Sequence, residues 1–344
     1  VRIFVYEHVT GGGYAGRDVP MSLAREGVAM RTALLADLAA LDGLEIATIT
    51  DRRFLRPAPA GVTMVPVESR SSRAAGALMR WADAVWVVAP ETDGCLARLA
   101  TLVERRGKRL LGSSAPVVRA ASDKAALASR LALAGLPHPT TIALSEGDDP
   151  RAAAERLGFP LVVKPRYGAG AQGVRLVRSV GELRGAIAAA RRVNGTRAAR
   201  GVVLLQTFVP GLAASVSLVS DGRAAVPLTV NAQRVRLAPG ASYRGGRTPL
   251  DHPLAAAAAQ VAVAACAAFP GLRGYVGVDL VLTGAGPIVI ELNPRLTTAY
   301  LGVRAAVDVN VAALALAACD GRLPMAPLAR RRVRFTAAGR VAAA

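Results

Sequence analysis

Three oxygen-bearing side chains carry the clearest chemistry in this sequence: Asp279, Glu291 and Asn293. They stand on two apolar, strand-like runs, residues 277–282 and 288–292, flanking Thr283-Gly284-Ala285-Gly286-Pro287. A hairpin about Ala285 puts Asp279 opposite Glu291, and the period-two alternation of a strand turns Asn293 to the same face. Acids among valine, isoleucine and leucine are costly to bury without a partner. Oxygen donors with no histidine or cysteine suit magnesium, which takes one or two carboxylates and completes its shell with phosphate and water. The competing reading is a pair of solvated edge carboxylates.

Lysines give the complementary sign. Lys+Arg totals 43, yet only Lys108, Lys124 and Lys164 are lysines, so forty are arginines. Lys164 ends the run Leu161-Val162-Val163-Lys164 before a glycine-rich turn, and Lys124 follows Ser122-Asp123. A lysine is a compact point charge for a phosphate, where arginine offers a planar fork. The turn with Gly168, Gly170 and Gly173 can bring backbone N–H groups onto a phosphate, or it is an ordinary hairpin.

These groups need elements to hold them. Residues 1–112 alternate strand-like and helix-like runs, the pattern of a parallel-sheet α/β domain: strands at 2–7, 45–50, 63–67, 84–88 and 108–111, and a first helix at 22–41. Ligands gather where such strands end, so Glu7, His8 and the loop with Gly12 belong either to a cleft or to a plain connection. From 113 to 330 the spacing predicts a helix opening at Ser122-Asp123-Lys124 with Ser122 as N-cap, a strand at 161–165, and another at 201–209 closed by Pro210-Gly211. A buried alanine-rich helix is expected at 254–269. Residues 331–344 read as a solvated basic tail.

Composition narrows the function. The chain has 344 residues and a formal charge of +19, with 52% hydrophobic and 4% aromatic residues. That excludes wholesale disorder and leaves few rings for the stacking used by single-strand and RNA binders. The charge fits either a polyanion surface or an arginine-rich compositional bias. Cys95, Cys266 and Cys319 form no CxxC pair, which argues against a zinc cluster or disulfide framework and for a reducing cytoplasm. No apolar run reaches the roughly 20 residues of a membrane span. Neither GxxxxGK[ST] nor a GxGxxG after the first strand is present, so P-loop and hydride-transfer chemistry lose support. His8, His138 and His252 are scattered and receive no catalytic role.

In this order the motifs resemble the ATP-grasp superfamily of carboxylate–amine ligases over residues 113–321. They are Ser122-Asp123-Lys124, Val162-Val163-Lys164-Pro165, the glycine-rich turn, Gln206-Thr207-Phe208-Val209-Pro210-Gly211, Gly277-Val278-Asp279, and Glu291-Leu292-Asn293-Pro294-Arg295. The resemblance implies a parallel-sheet pre-ATP-grasp domain over 1–112 and a two-lobed α+β ATP-grasp domain over 113–330. It further implies that Lys124 and Lys164 contact ATP phosphates under the loop of Gly168, Gly170 and Gly173. Gln206, Phe208 and Val209 would hold adenine, Asp279, Glu291 and Asn293 would hold magnesium or manganese, and Arg295, with Lys164, would serve the transferred phosphoryl group. Gln206 stands where the family often has glutamate, and the acid that often follows Pro-Gly is replaced by Leu212, so the ribose partner stays unassigned.

A narrower likeness rests on Tyr6 to Gly13, Arg25-Glu26-Gly27, Asn231-Ala232-Gln233 and Asn293 to Thr298. These look like the tyramine–L-glutamate ligases of methanofuran-type cofactor synthesis, in one-carbon metabolism. That implies ATP-dependent joining of the γ-carboxylate of L-glutamate to tyramine or tyrosine through an acyl phosphate. Expected substrate contacts are Glu7, Gly12, Asn231, Arg244, Thr297 and Thr298. The two threonines equally suit helix N-capping, and the segment Tyr243 to Pro249 equally suits an exposed turn. Small molecules are the expected partners, with no membrane, no nucleic acid, and a homodimer allowed. Alternatives are another peptide-forming ligase of the superfamily and, in a different class, a non-catalytic nucleotide- or nucleic-acid-binding protein.

Overall fold

The computed structural model describes residues 1–68, 72–193, 202–237 and 241–344; Gly201, the first residue of the strand expected at 201–209, lies outside them. The chain begins with β1 (Arg2–Glu7), α1 (Met21–Ala39), β2 (Glu45–Asp51), β3 (Val62–Val67), α2 (Ser72–Trp81), β4 (Ala84–Val88), α3 (Cys95–Arg105) and β5 (Arg109–Leu110). The five strands are parallel in the order β3-β2-β1-β4-β5. β4, Ala-Val-Trp-Val-Val, is buried along its whole length, as a strand covered by helices on both faces must be.

Two helices lead out of this domain, α4 (Ala115–Ser122) and α5 (Lys124–Leu133). The N-cap of α5 is Asp123, not the expected Ser122: its carboxylate accepts the N–H groups of Ala125 and Ala126 at 3.0 and 3.3 Å. Ser122 is instead the last residue of α4, and its hydroxyl makes no hydrogen bond to the start of α5.

A small lobe follows: β6 (Thr141–Leu144), α6 (Pro150–Leu157), β7 (Leu161–Pro165), β8 (Arg175–Val177), α7 (Val180–Val193) and β9 (Val203–Thr207), antiparallel in the order β6-β9-β7-β8. Alternation along β7 sends Leu161 and Val163 into a core with Leu183 and Ile187. Val162 and Lys164 therefore face the other way.

The large lobe is a seven-stranded antiparallel sheet, β14-β13-β10-β11-β12-β15-β16. It is built from β10 (Leu212–Asp221), β11 (Ala225–Arg236), β12 (Ser242–Thr248), β13 (Arg273–Thr283), β14 (Gly286–Asn293), β15 (Val333–Thr336) and β16 (Val341–Ala343), with α8 (Ala255–Ala267), α9 (Tyr300–Ala306) and α10 (Val311–Cys319) packed on it. In α8 the fully buried Ala258, Ala262 and Ala265 lie on one helical stripe, and their small size lets the helix sit close to the sheet.

Two expectations are corrected here. The tail is not a free one: β15 pairs with β12 and inserts Phe335, 1% exposed, into the core, while Arg331, Arg332, Arg334 and Arg340 stay exposed. The segment Tyr243 to Thr248 is strand β12 and not a loop. Its glycines serve packing: a Cβ on Gly245 would lie 2.1 Å from the Phe335 carbonyl oxygen, and one on Gly246 2.2 Å from that of Ala232.

One core joins the first domain to the large lobe, since Ile3, Val5 and Leu34 cluster with Leu296, Tyr300, Val311 and Phe335. Among the described residues, no helix is long and apolar enough to cross a membrane.

Candidate active site

A cavity of about 380 Å³ lies between the two lobes and reaches the N-terminal domain. β7 supplies Val162 and Lys164, the first turn of α5 supplies Lys124, and the connection after β9 supplies Phe208 and Val209 beside Gln206. The large sheet contributes Gln233, Tyr243, Asp279, Glu291 and Asn293, and the segment after β14 adds Arg295, Thr297 and Thr298. Gly170 closes the side nearest the glycine-rich turn.

Asp279 does lie opposite Glu291, but by a different register from the simple hairpin. The turn is the two-residue Gly284-Ala285, with Thr283 paired to Gly286 and Leu280 to Val289. Continued unbroken, that ladder would set Asp279 against Ile290. A bulge leaves Ile290 without a partner and brings Glu291 across from Asp279.

Charge then dictates the contacts. Lys124 Nζ stands 3.0 Å from Glu291 Oε1 and donates to the Gly168 carbonyl at 2.8 Å, tying the helix start to the glycine-rich turn. Asp123 reinforces the junction by accepting from Arg166 Nε and Nη2 at 2.8 and 2.6 Å and from the Tyr167 hydroxyl at 2.9 Å. On the facing strand, Asp279 accepts from Gln233 Nε2 at 2.8 Å and Asn293 Nδ2 at 3.2 Å.

Burial, with Glu291 adding to it, pushes the Asp279 carboxyl up to about 7 against the pull of those two amides. Burial acts upward on Glu291 too, but Lys124 and Lys164 outweigh it and hold that carboxyl below its usual range. Burial, joined by the charge of Lys124, lowers Lys164 to about 8 against the attraction of Glu291. The site thus sets Lys124, Lys164 and Arg295 among the carboxylates of Glu26, Asp279 and Glu291, and the hydrogen bonds to Asp279 come from two amides rather than from a cation. Its hard oxygen donors fit magnesium. Among the described residues, no group of three His, Cys, Asp or Glu side chains could hold a metal by itself, so the remaining shell would come from Asn293, phosphate oxygens and water.

Arg295 is half-buried, and its Nε and Nη2 donate to the two carboxylate oxygens of Glu91 at 2.7 and 2.9 Å. Thr298 donates its hydroxyl to Glu26 of α1. The N-capping alternative for the threonines is set aside, since α9 has Ala299 at its N-cap and no side-chain cap bond.

Several expected residues stand outside the cavity. Gly168 supports it through its carbonyl, and Gly173 (φ +71°) packs on α7, where a Cβ would meet Val193 at 2.8 Å. Glu7 lies beneath the turn after β1, its carboxylate accepting the N–H groups of Val9 and Thr10 at 2.9 and 2.7 Å, and Gly12 belongs to that turn. Asn231 is fully buried, bonded to Ser215, Ser217 and Thr229 within the sheet. Arg244 is exposed, because its place on β12 points it away from Tyr243. Sequence reasoning did not assign Gln233, Glu26 or Glu91 to the site, and from the candidate segment Tyr243 to Pro249 it took Arg244 where the cavity has Tyr243. Period-two alternation from Asn231 was the available signal for Gln233; nothing local marked Glu91, which lies more than 200 positions before Arg295.

Comparison with known proteins bears on the family and the fold. An ATP-grasp domain matches residues 121–299, and a pre ATP-grasp 3 domain matches residues 44–118. The chain belongs to the ATP-grasp family. Its ATP-grasp relatives include the tyramine–L-glutamate ligase of Methanocaldococcus jannaschii, 36% identical over 101 residues, which is 29% of this chain and 32% of that protein. The D-alanine–D-alanine ligase of Ralstonia pickettii is 31% identical over 206 residues, 56% of this chain and 59% of the relative. The matched region therefore spans less than two thirds of either relative. A crystal structure from Archaeoglobus fulgidus, described as of the ATP-grasp superfamily, superposes with a TM-score of 0.69 at 26% identity over 97% of this chain and 92% of that one.

Proposed function

We propose that this ATP-grasp protein is an ADP-forming ligase that joins a carboxylate to an amine through an acyl phosphate. The observation that carries this reading is the convergence of Lys124, Lys164, Asp279, Glu291, Asn293 and Arg295 on one cavity. A carboxylate oxygen of the acid attacks the γ-phosphorus, and the bond from that phosphorus to the β-phosphate oxygen breaks. The amine nitrogen then attacks the acyl carbon and phosphate leaves.

Lys124 and Lys164 offset phosphate charge, and the turn with Gly168 and Gly170 covers it. Phe208 and Val209 offer an apolar berth for the base, and Gln206 is steadied there by donating to Thr141 at 2.8 Å. Asp279, Glu291 and Asn293 would hold magnesium, which when bound supplies electrostatic stabilisation of the transferring group. Arg295 faces that group, and Thr297 and Thr298 line the acid side. Enclosure between the lobes protects an acyl phosphate from water.

L-Glutamate, activated at its γ-carboxylate, with tyramine or tyrosine as amine, is the substrate pair we favour, which places the enzyme in methanofuran-type cofactor synthesis in a reducing cytoplasm. Its support is the tyramine–L-glutamate ligase likeness and the three cysteines, all buried and free. The longer match to a D-alanine–D-alanine ligase favours a peptide-forming enzyme as the second reading. ADP release with single acid–amine pairs, and mass spectrometry of the product, decides between them. A γ-glutamyl amide of tyramine or tyrosine supports the first; turnover only with another acid–amine pair supports the second; no ADP from any pair rejects ligase activity.

A further inference from the structure

Arg295 is held from outside the ATP-grasp domain. Its partner, Glu91, follows β4 of the parallel sheet, immediately after Pro90, and is 3% exposed. The two side chains meet fork to fork, Nε to Oε1 at 2.7 Å and Nη2 to Oε2 at 2.9 Å, and Nη1 donates to the Leu296 carbonyl at 3.1 Å. Three of the five guanidinium N–H groups are thus engaged, leaving one on each terminal nitrogen for an oxyanion in the cavity. The backbone fixes Glu91 in turn: its carbonyl accepts from Gly94 N at 2.9 Å, and the Pro90 carbonyl from Leu96 N at 3.1 Å.

Packing does not supply the same constraint. A gap of about 20 Å³ lined by Trp86, Val118, Tyr275 and Arg295 lies beside the arginine, so on that side directed bonds rather than close packing hold it. A buried ion pair is a poor source of stability relative to apolar packing, whereas a bidentate fork sets the direction of both partners.

We propose that Glu91 is a positioning residue: the pre-ATP-grasp domain aims the Arg295 guanidinium into the cavity through this buried fork. The inference rests on the ligase reading. It gives the N-terminal domain a part in phosphoryl transfer, because removing the carboxylate frees Arg295 to turn away from the acyl-phosphate position while the nucleotide contacts of Lys124 and Lys164 stay intact.

The test is steady-state ADP release by the full chain for Glu91→Gln and Glu91→Asp, with folding followed by thermal melting and nucleotide binding by calorimetry with a non-hydrolysable ATP analogue and magnesium. Expected for Glu91→Gln is a fall in kcat of at least tenfold, with KM for ATP and analogue affinity within about threefold of the parent. Glu91→Asp should recover part of kcat by restoring the charge. An unchanged kcat in folded Glu91→Gln overturns the proposal, as does a loss that appears equally in KM and analogue affinity. Should the parent itself release no ADP with any acid–amine pair, the ligase reading fails, and a crystal structure of Glu91→Gln decides the positioning role alone. Arg295 displaced from the cavity supports it; Arg295 unmoved overturns it.

Discussion

Lys164 and Glu291 show how burial converts ordinary side chains into specific ones. A lysine nearly closed off from water, with its affinity for protons lowered by burial, gains more from a phosphate than an exposed lysine would, because little solvation remains to be lost. Lys164→Met should lower kcat/KM for ATP about 10- to 100-fold, the size of one charge-assisted hydrogen bond lost from a dry site; initial rates of ADP release check it. Glu291→Ala removes a proposed metal donor and also strips Lys124 of the carboxylate 3.0 Å away. It should abolish turnover, and raising magnesium should not restore it, whereas a mere weakening of metal affinity would yield to excess cation.

At the level of elements, the start of α5 deserves a test because one aspartate serves helix, turn and lysine together. Asp123 caps α5 and grips Arg166 and Tyr167, so Asp123→Ala should cost about 1–2 kcal/mol, read from the urea midpoint. Burial raises this carboxyl, but the bonds from Arg166 and Tyr167 outweigh it and hold it below the ordinary 3.8. Its contribution is therefore fully present above 3.8 and is lost as pH falls through the lower folded value, where the unfolded state already holds the proton. The stability gap between the parent and Asp123→Asn should close on acidification below 3.8; a gap that widened there would contradict this assignment.

Elements also show where local reading succeeds. Arg2–Glu7, Ala84–Val88 and Leu161–Pro165 were legible to the residue, since short runs of β-branched and apolar side chains bounded by turns have few alternatives. β12 and β15 were not, because glycines and arginines carry no strand signal and Gly245 and Gly246 make sense only against Phe335. Phe335→Ala should cost about 3–5 kcal/mol, the size expected for emptying a fully buried aromatic site, and a denaturant titration checks it.

For the molecule as a whole, the core shared by β1, α1, α9, α10 and β15 joins the N-terminal domain to the large lobe. Asp37 of α1 adds polar links, accepting from the Tyr300 hydroxyl at 2.5 Å and from Arg304 Nε at 2.9 Å. These two bodies should unfold together, with calorimetry and near-ultraviolet circular dichroism reporting one coincident transition for them; separate transitions would mean that the shared core contributes little. The forty arginines also find their place at this scale. Arg2, Arg109, Arg166, Arg295, Arg304, Arg330 and Arg332 all pair with acids, many of them distant in sequence, so these arginines tie remote segments together, while the +19 excess stays with the arginines left over.

The sequence alone determined the parallel-sheet domain and the ATP-grasp signature, because strand alternation, turn glycines and the rarity of lysine are local properties. It also determined that Asp279 and Glu291 would meet, although the bulge at Ile290 that makes them do so was invisible, being a compromise between a two-residue turn and the packing of a sheet. Only the tertiary structure decided that Gln233 rather than Asn231 reaches Asp279, that Arg244 faces solvent, and that Arg295 answers to Glu91. Each depends on how far an element lies from another that is remote in the chain, and residue spacing along a sequence contains no such distance.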